Sequence, residues 1–362
     1  MRYFFAFVLL VHGLIHFMGL AKAFGYAEIN NLTQPISRPA GAAWLLAALL
    51  FVVGTGLFLW RKDAWWMVVA PAVVVSQILI FMSWRDAKFG TVANLIALAA
   101  VVLAIAAWQF DGMVRREMSA FLPEKTAAAP KIVTPEMLAG LPPVVRRWLE
   151  TSNIVGKPMA RNVRLRQRGE MMTKPGGQWM PFEAEQYCTV EKPGFLWRTE
   201  MQAAPFVPIV GRDKFEDGRG HMLIKLLSLV PIADAKGPEI DQGSALRNLG
   251  EICWFPSAAL RDYIVWEPLD SLSAKATMTV GGKAVSGIFR FNEAGDLASF
   301  EAKRYYDRKE GATLEDWFIA STAWRDFGGI RVPYKHEVTW RLKTGDFTWL
   351  KLEVEELKEL KS

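Results

Sequence analysis

Two histidines four residues apart, His12 and His16, are the side chains whose spacing best suits metal or cofactor chemistry in this chain. In a helix this spacing places both imidazole rings on one face, where together they can chelate one metal ion. The pair falls within an apolar stretch, where ionisable side chains are costly and usually functional. Hydrogen bonding between helices, with Gln77 or Asn94 as the partner, is the favoured interpretation. A metal, haem or quinone site is the alternative.

Two carboxylates, Glu239 and Asp241, form a second group of candidates in a segment rich in glycine and proline. A carboxylate pair can perform acid–base chemistry or bind a cation. No histidine or further ligand stands at a matching spacing, so a role in organising a helix end is favoured. The chain has no nucleophile elbow, phosphate loop or dinucleotide fingerprint. A non-enzymatic role is therefore favoured, and the sequence names no specific cofactor.

Four apolar stretches precede these carboxylates, at residues 3–24, 41–60, 65–84 and 91–110. Each is long enough to cross ~30 Å of hydrocarbon as a helix. Tryptophans stand at several of their ends, as expected for side chains that prefer the headgroup layer of a bilayer. Residues 1–112 are therefore predicted to form a transmembrane domain of four helices in contact with the lipid bilayer.

Charge and cysteine content narrow the class of protein further. The formal net charge of +6 is spread along the chain without a dense basic patch, which argues against nucleic acid as a partner. With both ends on one side, more Lys and Arg flank the spans on that side than on the other, which favours a cytoplasmic soluble part. The two cysteines, Cys188 and Cys253, are predicted to be buried free thiols.

The second part of the chain shows the two-residue period of β-strands. Residues 113–133 are small and punctuated by proline, which predicts a linker before a soluble domain at 134–362. Apolar and polar residues alternate along about nine or ten runs, and Gly281-Gly282 between two of them predicts a hairpin. Residues 221–260 interrupt the alternation and are predicted to be mostly helical or irregular. The fold class expected is α+β, with a large curved antiparallel sheet or half-barrel.

The apolar side chains of these strands are more aromatic and methionine-rich than the core of a minimal sheet requires. A curved sheet with one apolar face needs a cover. Either the 221–260 segment fills that face, or part of it remains a cavity for a lipophilic ligand. The candidate ligand-binding residues are Phe182, Trp197, Trp254, Phe255, Phe289 and Trp324.

Several segments resemble a family of uncharacterised bacterial membrane proteins that join a four-helix anchor to a soluble domain. The resemblance rests on residues 179–188, Gly-Pro-Glu at 237–239, Trp-Phe-Pro-Ser at 254–257 and 324–333, and extends into the membrane half. It implies a multi-pass protein of the bacterial inner membrane and carries no known activity. The Asp-Phe-Gly-Gly-Ile-Arg-Val-Pro segment with its two following strands more distantly resembles the outer-membrane lipoprotein carrier superfamily, whose half-barrels shelter acyl chains. Neither resemblance assigns a role to a residue.

These observations predict an integral membrane protein whose half-barrel binds a lipid, another apolar ligand or a membrane protein partner close to the bilayer. The alternative is a membrane redox protein linked to a metal, a haem or a quinone and centred on His12 and His16. A hydrolase that uses Glu239 or Asp241 is the third alternative.

Overall fold

The computed structural model describes residues 2–122, 130–307 and 311–360 of the chain. Contacts between residues divide the chain into two compact units, Met1–Gly112 and Met113–Ser362. The first unit is helical, whereas the second is built on one large antiparallel sheet.

Apolar helices make up the described part of the first unit. They are α1 (Arg2–Ile15), α2 (Phe17–Phe24), α3 (Arg38–Leu59), α4 (Trp65–Met82), α5 (Trp84–Ala87) and α6 (Gly90–Phe121), the last of which continues into the second unit. Only His16 separates α1 from α2, so the two helices form one apolar segment. Ser37 caps α3, because its hydroxyl accepts a hydrogen bond from the Ala40 N–H at 3.4 Å.

In the part of the chain that the structure describes, four segments are long and apolar enough to cross a membrane by length and composition, namely Arg2–Phe24, Arg38–Leu59, Trp65–Met82 and Gly90–Phe121. The four predicted helices are therefore confirmed. The last one continues beyond its predicted end to Phe121, because residues 113–121 contain good helix formers and no proline. It thus occupies the first part of the predicted linker 113–133, and residues 123–129 of that linker lie outside the described residues.

Small residues allow the helices of the first unit to approach closely. A Cβ atom added to Gly19 of α2 would lie 2.2 Å from the Trp44 ring of α3. At Gly13 of α1, an added Cβ would lie 2.8 Å from the Cβ of Phe51, which also belongs to α3. Glycine is therefore required at these contacts, as expected for helices that associate within a membrane.

Within the described residues of the second unit, the strands form one sheet of 13. The strands are β1 (Asn162–Met171), β2 (Met180–Thr189), β3 (Gly194–Ala204), β4 (Val207–Glu216), β5 (Arg219–Leu226), β6 (Val230–Ala235), β7 (Ile264–Asp270), β8 (Ser273–Val280), β9 (Lys283–Phe291), β10 (Leu297–Tyr306), β11 (Thr313–Phe327), β12 (Ile330–Leu342) and β13 (Gly345–Glu359). Their order in the sheet is β6-β5-β4-β3-β2-β1-β13-β12-β11-β10-β9-β8-β7, with antiparallel pairing between neighbours. The curved sheet is not closed, because β6 and β7 are its two edges. This architecture is the predicted half-barrel.

Alternation and turn chemistry explain why these segments form strands. In β1 the buried residues Val163 and Leu165 alternate with partly or fully exposed arginines, so one face is apolar and the other is wet. Gly281 and Gly282 join β8 to β9 with φ values of 57° and 73°, which side chains with a Cβ rarely adopt. The predicted hairpin is therefore confirmed.

Four strands, β4 to β7, were not predicted. The expectation of helical or irregular structure over 221–260 is wrong for its first part, which contains most of β5 and all of β6. Gly220 and Pro231 weaken the strand pattern there, because glycine and proline are unfavourable inside strands. The second part, from Pro238 to Leu260, is helical as predicted.

Helices cover one face of the sheet. They are α7 (Pro143–Thr151) and α8 (Pro238–Glu251), with single 3-10 segments at Pro135–Leu138, Ile252–Trp254 and Pro256–Leu260. Trp148 of α7 packs on the sheet, with 5.6 Å between its ring centroid and that of Phe291. Leu249 of α8 is fully buried in the same core. Removal of this apolar area from water, worth about 25 cal/mol per Å², holds the cover on the sheet.

Candidate functional site

Asp241 fastens the N-terminal end of α8 to the sheet. Its Oδ1 accepts a hydrogen bond from the Gly220 N–H at 2.8 Å, and its Oδ2 lies 3.0 Å from Lys283 Nζ. The helix can approach this closely because Gly220 has no Cβ, which would lie 2.7 Å from the Ile240 carbonyl oxygen. Glu239 is exposed two residues earlier. The predicted carboxylate candidates thus lie at the start of α8, where Asp241 has a structural role.

A cavity of about 230 Å³ lies between the apolar face of the sheet and the C-terminal end of α8. Strands β1 to β5 and β10 to β13 contribute to its walls, and the segment from Arg247 to Trp254 closes it on the helical side. Its apolar lining consists of Met171, Phe182, Trp197, Met201, Met222, Ile224, Cys253, Trp254, Trp317, Ile319, Val338, Trp349, Leu350 and Leu352. The cover therefore fills most of the apolar face and leaves one part of it open to a ligand.

Three of the six predicted ligand-binding residues line this cavity. They are Phe182 of β2, Trp197 of β3 and Trp254 of the 3-10 segment that follows α8. The Phe182 and Trp197 rings pack edge to face, with centroids 6.1 Å apart. The structure thus brings together an aromatic group from two strands and the cover, which are distant in sequence.

The other three predicted residues lie elsewhere. Phe255 and Phe289 belong to the packed core of the sheet and its cover, where both are buried. Trp324 lies near the end of β11, and its Nε1 donates a hydrogen bond to the Leu297 carbonyl oxygen at 3.1 Å. The alternation of apolar and polar residues along the strands predicted that these rings would be shielded from water. It does not show which part of the apolar face of the sheet the helical cover leaves free.

Arg247 organises the polar part of the cavity wall. Its Nε donates to Glu251 Oε1 at 2.7 Å, its Nη1 to Asp213 Oδ2 at 2.8 Å and its Nη2 to Gln186 Oε1 at 3.1 Å. The guanidinium also stacks on Phe195, with Cζ 4.4 Å from the ring centroid. Charge-assisted hydrogen bonds of this kind are strong and directional. They hold this side of the cavity in one geometry.

Burial raises the pKa of one carboxyl group and two thiols near the cavity. It raises the pKa of Glu251, although Arg247 and Gln186 both donate hydrogen bonds to this carboxylate. Burial likewise raises the pKa of Cys188 and Cys253, so both thiols are protonated at neutral pH. Both cysteines are free and buried, as predicted. A protonated, buried thiol is a packing residue and not a nucleophile.

His336 of β12 lines the cavity beside Trp254. The Trp254 Nε1–H donates to His336 Nε2 at 3.0 Å, so the imidazole carries its proton on Nδ1, 3.4 Å from the Ser321 hydroxyl oxygen. Burial lowers the pKa of His336 to about 4, which keeps the ring neutral at pH 7. This neutral imidazole fixes the orientation of the Trp254 ring in the cavity wall.

A second guanidinium, that of Arg304 on β10, lines the cavity and has no hydrogen-bond acceptor among the described residues. Its Cζ lies 4.5 Å from the Trp317 ring centroid and 5.8 Å from that of Trp340. Its Nε lies 2.9 Å from the position that a Cβ of Gly243 in α8 would occupy. Burial lowers the pKa of Arg304 to about 10, so the group remains charged at neutral pH.

Three further polar atoms of cavity-lining residues have no partner within the described part of the chain. The Nε1–H groups of Trp317 and Trp349 lack an acceptor, and Asp213 Oδ1 lacks a donor. Buried polar groups are nearly always hydrogen-bonded, to protein, to ordered water or to a ligand. These atoms therefore indicate that a molecule other than the chain completes the cavity.

The two arginines were not selected from the sequence, although a signal for Arg304 exists. Phe300 and Ala302 point to the buried face of β10, and Arg304 is the next residue on that face. An arginine in the apolar phase of a strand is unusual and indicates a special partner. Arg247 and Glu251 stand four residues apart in a helix, which alone predicts only a common surface ion pair.

A larger, more open groove of about 820 Å³ is lined mostly by side chains that alternate with those of the cavity. Its charges are of both signs and pair with one another, as Arg168 does with Glu353 at 3.4 Å and Arg198 with Glu200 at 3.5 Å. Exposed pairs of this kind contribute little and select no class of ligand. The smaller cavity is therefore the candidate functional site.

His12 and His16 are buried together in the first unit, with 4.8 Å between their ring centroids. His16 Nδ1 donates to the His12 carbonyl oxygen at 2.7 Å, so its Nε2 accepts from the Ser76 hydroxyl at 2.9 Å. His12 Nε2 donates to Asn94 Oδ1 at 2.9 Å. Asn94 Nδ2 donates in turn to Ser76 Oγ at 2.9 Å. The hydrogen bond to Asn94, which was the favoured interpretation, is therefore present.

A groove of about 440 Å³ borders this histidine pair and is lined mainly by apolar residues of the first unit. Within residues 2–122, 130–307 and 311–360, no group of three or more His, Cys, Asp or Glu side chains is arranged to hold a metal ion. A ligand of the two Nε2 atoms would have to replace Ser76 and Asn94. The metal, haem or quinone site at His12 and His16 stays a prediction.

Comparison of the sequence with known families gives a match over residues 131–352, to a family described as a family of unknown function (DUF6544). The match covers more than half of the chain. The chain belongs to this family. Membership in DUF6544 confirms the predicted assignment to a family without known activity. No curated protein matches the chain.

Three solved structures are similar to the chain of this DUF6544 member at low identity. An outer membrane lipoprotein-sorting protein domain from Vibrio parahaemolyticus has 8% identity and a TM-score of 0.31, over 55% of this chain and 85% of that one. A LolA superfamily protein from Nitrosomonas europaea has 10% identity and a TM-score of 0.33, over 60% and 93%. A DUF1329 family protein from Desulfovibrio piger has 8% identity and a TM-score of 0.34, over 60% and 90%. The predicted distant resemblance is found among these matches, which identify neither ligand nor activity.

Proposed function

We propose that the protein binds an apolar ligand in the cavity between the sheet and the C-terminal end of α8. The observation that carries the proposal is the cavity itself, about 230 Å³ of space walled by aromatic and methionine side chains. Protein cores are close-packed and contain few voids larger than a water molecule. Each Å² of apolar area that a ligand removes from water here would stabilise the complex by about 25 cal/mol.

The cavity also suggests the size of the ligand. A water-sized group occupies ~30 Å³, so the space accommodates a chain of about eight such groups. This is smaller than the volume of most drug-sized sites and suits one short or partly inserted acyl chain better than a folded or ring-rich molecule. The methionines Met171, Met201 and Met222 are flexible and polarisable, and suit a site that adapts to such a chain.

The four apolar helices supply the second half of the proposal, because they would hold the binding unit at a membrane. In this proposal the protein is a multi-pass protein of the bacterial inner membrane with its binding unit in the cytoplasm. The ligand would then be taken from the bilayer or passed to a membrane protein partner. A binding role is favoured over catalysis, because the acids near the cavity are engaged with Arg247 and the thiols are protonated.

Native mass spectrometry of the full-length chain, purified in detergent and transferred to amphipol, tests this function. We expect one apolar molecule to co-purify with each chain. The variant Met201→Trp replaces a methionine side chain of the cavity wall with a larger indole ring. It should reduce the fraction of chains that carry the ligand at least tenfold. Gln202→Trp is the matched control, because Gln202 is the next residue and is exposed. It should keep the ligand.

If the protein loses its ligand during purification, octanol can be added and its binding measured instead. Saturable binding that Met201→Trp abolishes and Gln202→Trp preserves supports the proposal, provided that both variants unfold at temperatures close to that of the parent chain. If no apolar molecule co-purifies and octanol does not bind, the proposed function is wrong.

A further inference from the structure

The cavity contains more hydrogen-bond donors than its own residues can satisfy. The Arg304 guanidinium has no acceptor among the described residues, and the Nε1–H groups of Trp317 and Trp349 are buried without one. All three side chains belong to strands and are therefore held by the sheet. An apolar chain could fill the space between them but could accept none of these hydrogen bonds. These donors therefore favour a ligand that brings oxygen atoms as well as hydrocarbon.

The position of Arg304 leaves its hydrogen-bonding edge for such a ligand. The guanidinium stacks on the rings of Trp317 and Trp340, with its Cζ 4.5 Å and 5.8 Å from their centroids. The backbone of α8 at Gly243 limits its movement on the Nε side. Stacking uses the π-face of a guanidinium and leaves its N–H groups free for a planar oxyanion, which they can bind with two parallel bonds.

The surrounding charges limit the ligand to a single negative charge. Arg247 is already paired with Glu251 and with Asp213 Oδ2, at 2.7 Å and 2.8 Å, and cannot serve a ligand without breaking these pairs. Asp213 also lines the cavity with a buried Oδ1 that has no donor, and its charge repels a second negative charge. Among the described cavity-lining residues, Arg212 is likewise paired, with Glu117 at 2.9 Å, so Arg304 is the cation left for a ligand. A single cation of this kind favours a carboxylate ligand over a phosphate monoester.

We infer that the ligand is an amphiphile with a carboxylate head, such as a short-chain or medium-chain fatty acid, whose carboxylate binds Arg304 while its chain lies against Phe182, Met201 and Leu352. This inference rests on the proposed function, since it names the class of ligand for the same cavity. The two indole N–H groups provide further donors for the carboxylate oxygens or for water bound to them. Arg304 is the residue that distinguishes an acid from a neutral lipophile of equal length.

Binding of octanoate, octanol and octyl phosphate to the full-length chain in amphipol, measured by calorimetry, separates the head from the chain. We expect octanoate to bind at least tenfold more tightly than octanol, because a hydrogen bond to a charged group is worth that factor or more. Octyl phosphate should bind less tightly than octanoate. The variant Arg304→Met keeps the length and apolar stem of the side chain. It should reduce the ratio of octanoate affinity to octanol affinity at least tenfold.

Two more variants separate charge from folding. Arg304→Lys keeps the charge and should recover part of the octanoate affinity, whereas Trp317→Phe removes one N–H and should cost about threefold to tenfold. If octanoate and octanol bind equally and Arg304→Met changes neither, the carboxylate inference is wrong and the proposed function stands. If octyl phosphate binds most tightly, the single-charge assignment is wrong. If none of the three binds and no apolar molecule co-purifies, the proposed function itself fails.

Discussion

Arg247 and Glu251 form a buried ion pair within one turn of α8, with 2.7 Å between Nε and Oε1. Asp213 of β4 completes the group at 2.8 Å from Arg247 Nη1. The pair thus connects the cover to the sheet directly at the wall of the cavity. Its geometry makes the stability of the second unit depend on a residue that also shapes the candidate site.

The variant Arg247→Met should lower the free energy of unfolding of the second unit by about 3 kcal/mol or more. It leaves Glu251 and Asp213 buried without their cation, and breaking a buried pair by removing one partner typically costs 3–5 kcal/mol. Urea unfolding of the full-length chain, followed by tryptophan fluorescence, measures the change.

The matched control for this variant is Arg290→Met. Arg290 lies 2.7 Å from Glu301, but its side chain is 46% exposed, so we expect a loss below about 1 kcal/mol. Equal losses in the two variants would contradict the buried role of Arg247.

The stability of the second unit should fall as the pH is lowered from about 6.5 towards 4, in part through His336. Burial lowers the pKa of this imidazole to about 4 in the folded chain, against 6.5 for an unperturbed histidine. Between these values the unfolded chain binds a proton that the folded chain does not, so acid favours unfolding. We expect this residue to contribute a loss of about 2 kcal/mol between pH 7 and pH 5, at 1.36 kcal/mol per pKa unit.

His336→Gln provides the comparison, because glutamine can accept the Trp254 hydrogen bond but does not titrate. Its urea midpoint should fall less between pH 7 and pH 5 than that of the parent chain. Burial raises the pKa of Glu251, so this residue stabilises the folded chain as the pH falls. Its contribution is present in both proteins and therefore cancels in the comparison. Parallel pH profiles would show that His336 is not the titrating group.

Asp241→Ala should destabilise the second unit by about 1–2 kcal/mol, whereas Glu239→Ala should change its stability by less than about 0.5 kcal/mol. Asp241 accepts the Gly220 N–H and pairs with Lys283, and its loss leaves a partly buried donor unsatisfied. Glu239 is exposed at the same helix end. Thermal unfolding of the two variants measures the difference. A larger effect at Glu239 would contradict the structural role assigned to Asp241. Loss of a hydrolytic activity in either variant would support the third alternative, a hydrolase.

Ser76→Ala should destabilise the helical unit by about 1 kcal/mol, because it removes the hydroxyl that donates to His16 Nε2 and accepts from Asn94. Thermal unfolding in amphipol, with Ser119→Ala on α6 as an exposed serine control outside this network, measures the effect. Metal analysis and visible absorbance of the same samples test the predicted cofactor site. A metal or haem that is present in the parent chain and lost in His12→Ala would confirm it.

Much of the architecture could be predicted from local pattern. The four apolar helices follow from long runs of apolar residues, and the Gly281-Gly282 hairpin follows from backbone freedom at two adjacent positions. Alternation identified most strands, because the side-chain period of a strand is a property of neighbouring residues. It failed where Gly220 and Pro231 interrupt the period, although pairing with β4 and between β5 and β6 still forms the strands there.

The candidate site was predictable only in part, because its residues are brought together by contacts that are distant in sequence. Phe182, Trp197 and Trp254 were selected as apolar candidates, and they line the cavity. Arg304 was not selected, since nothing near it in sequence shows that it faces Trp317 from a neighbouring strand. Its lack of an acceptor is a property of the folded chain alone.

The amino-acid sequence therefore determined which segments are apolar enough to enter a membrane, which face of each predicted strand is shielded from water, and the family to which the chain belongs. Those properties depend on composition and on short-range periodicity. Only the tertiary structure decided that β1 pairs with β13, from Val163 opposite Glu359 onward, and that α8 stops short of covering the whole apolar face. Strand register and packing between elements are set by contacts across the entire chain, and these contacts leave the cavity and its available guanidinium.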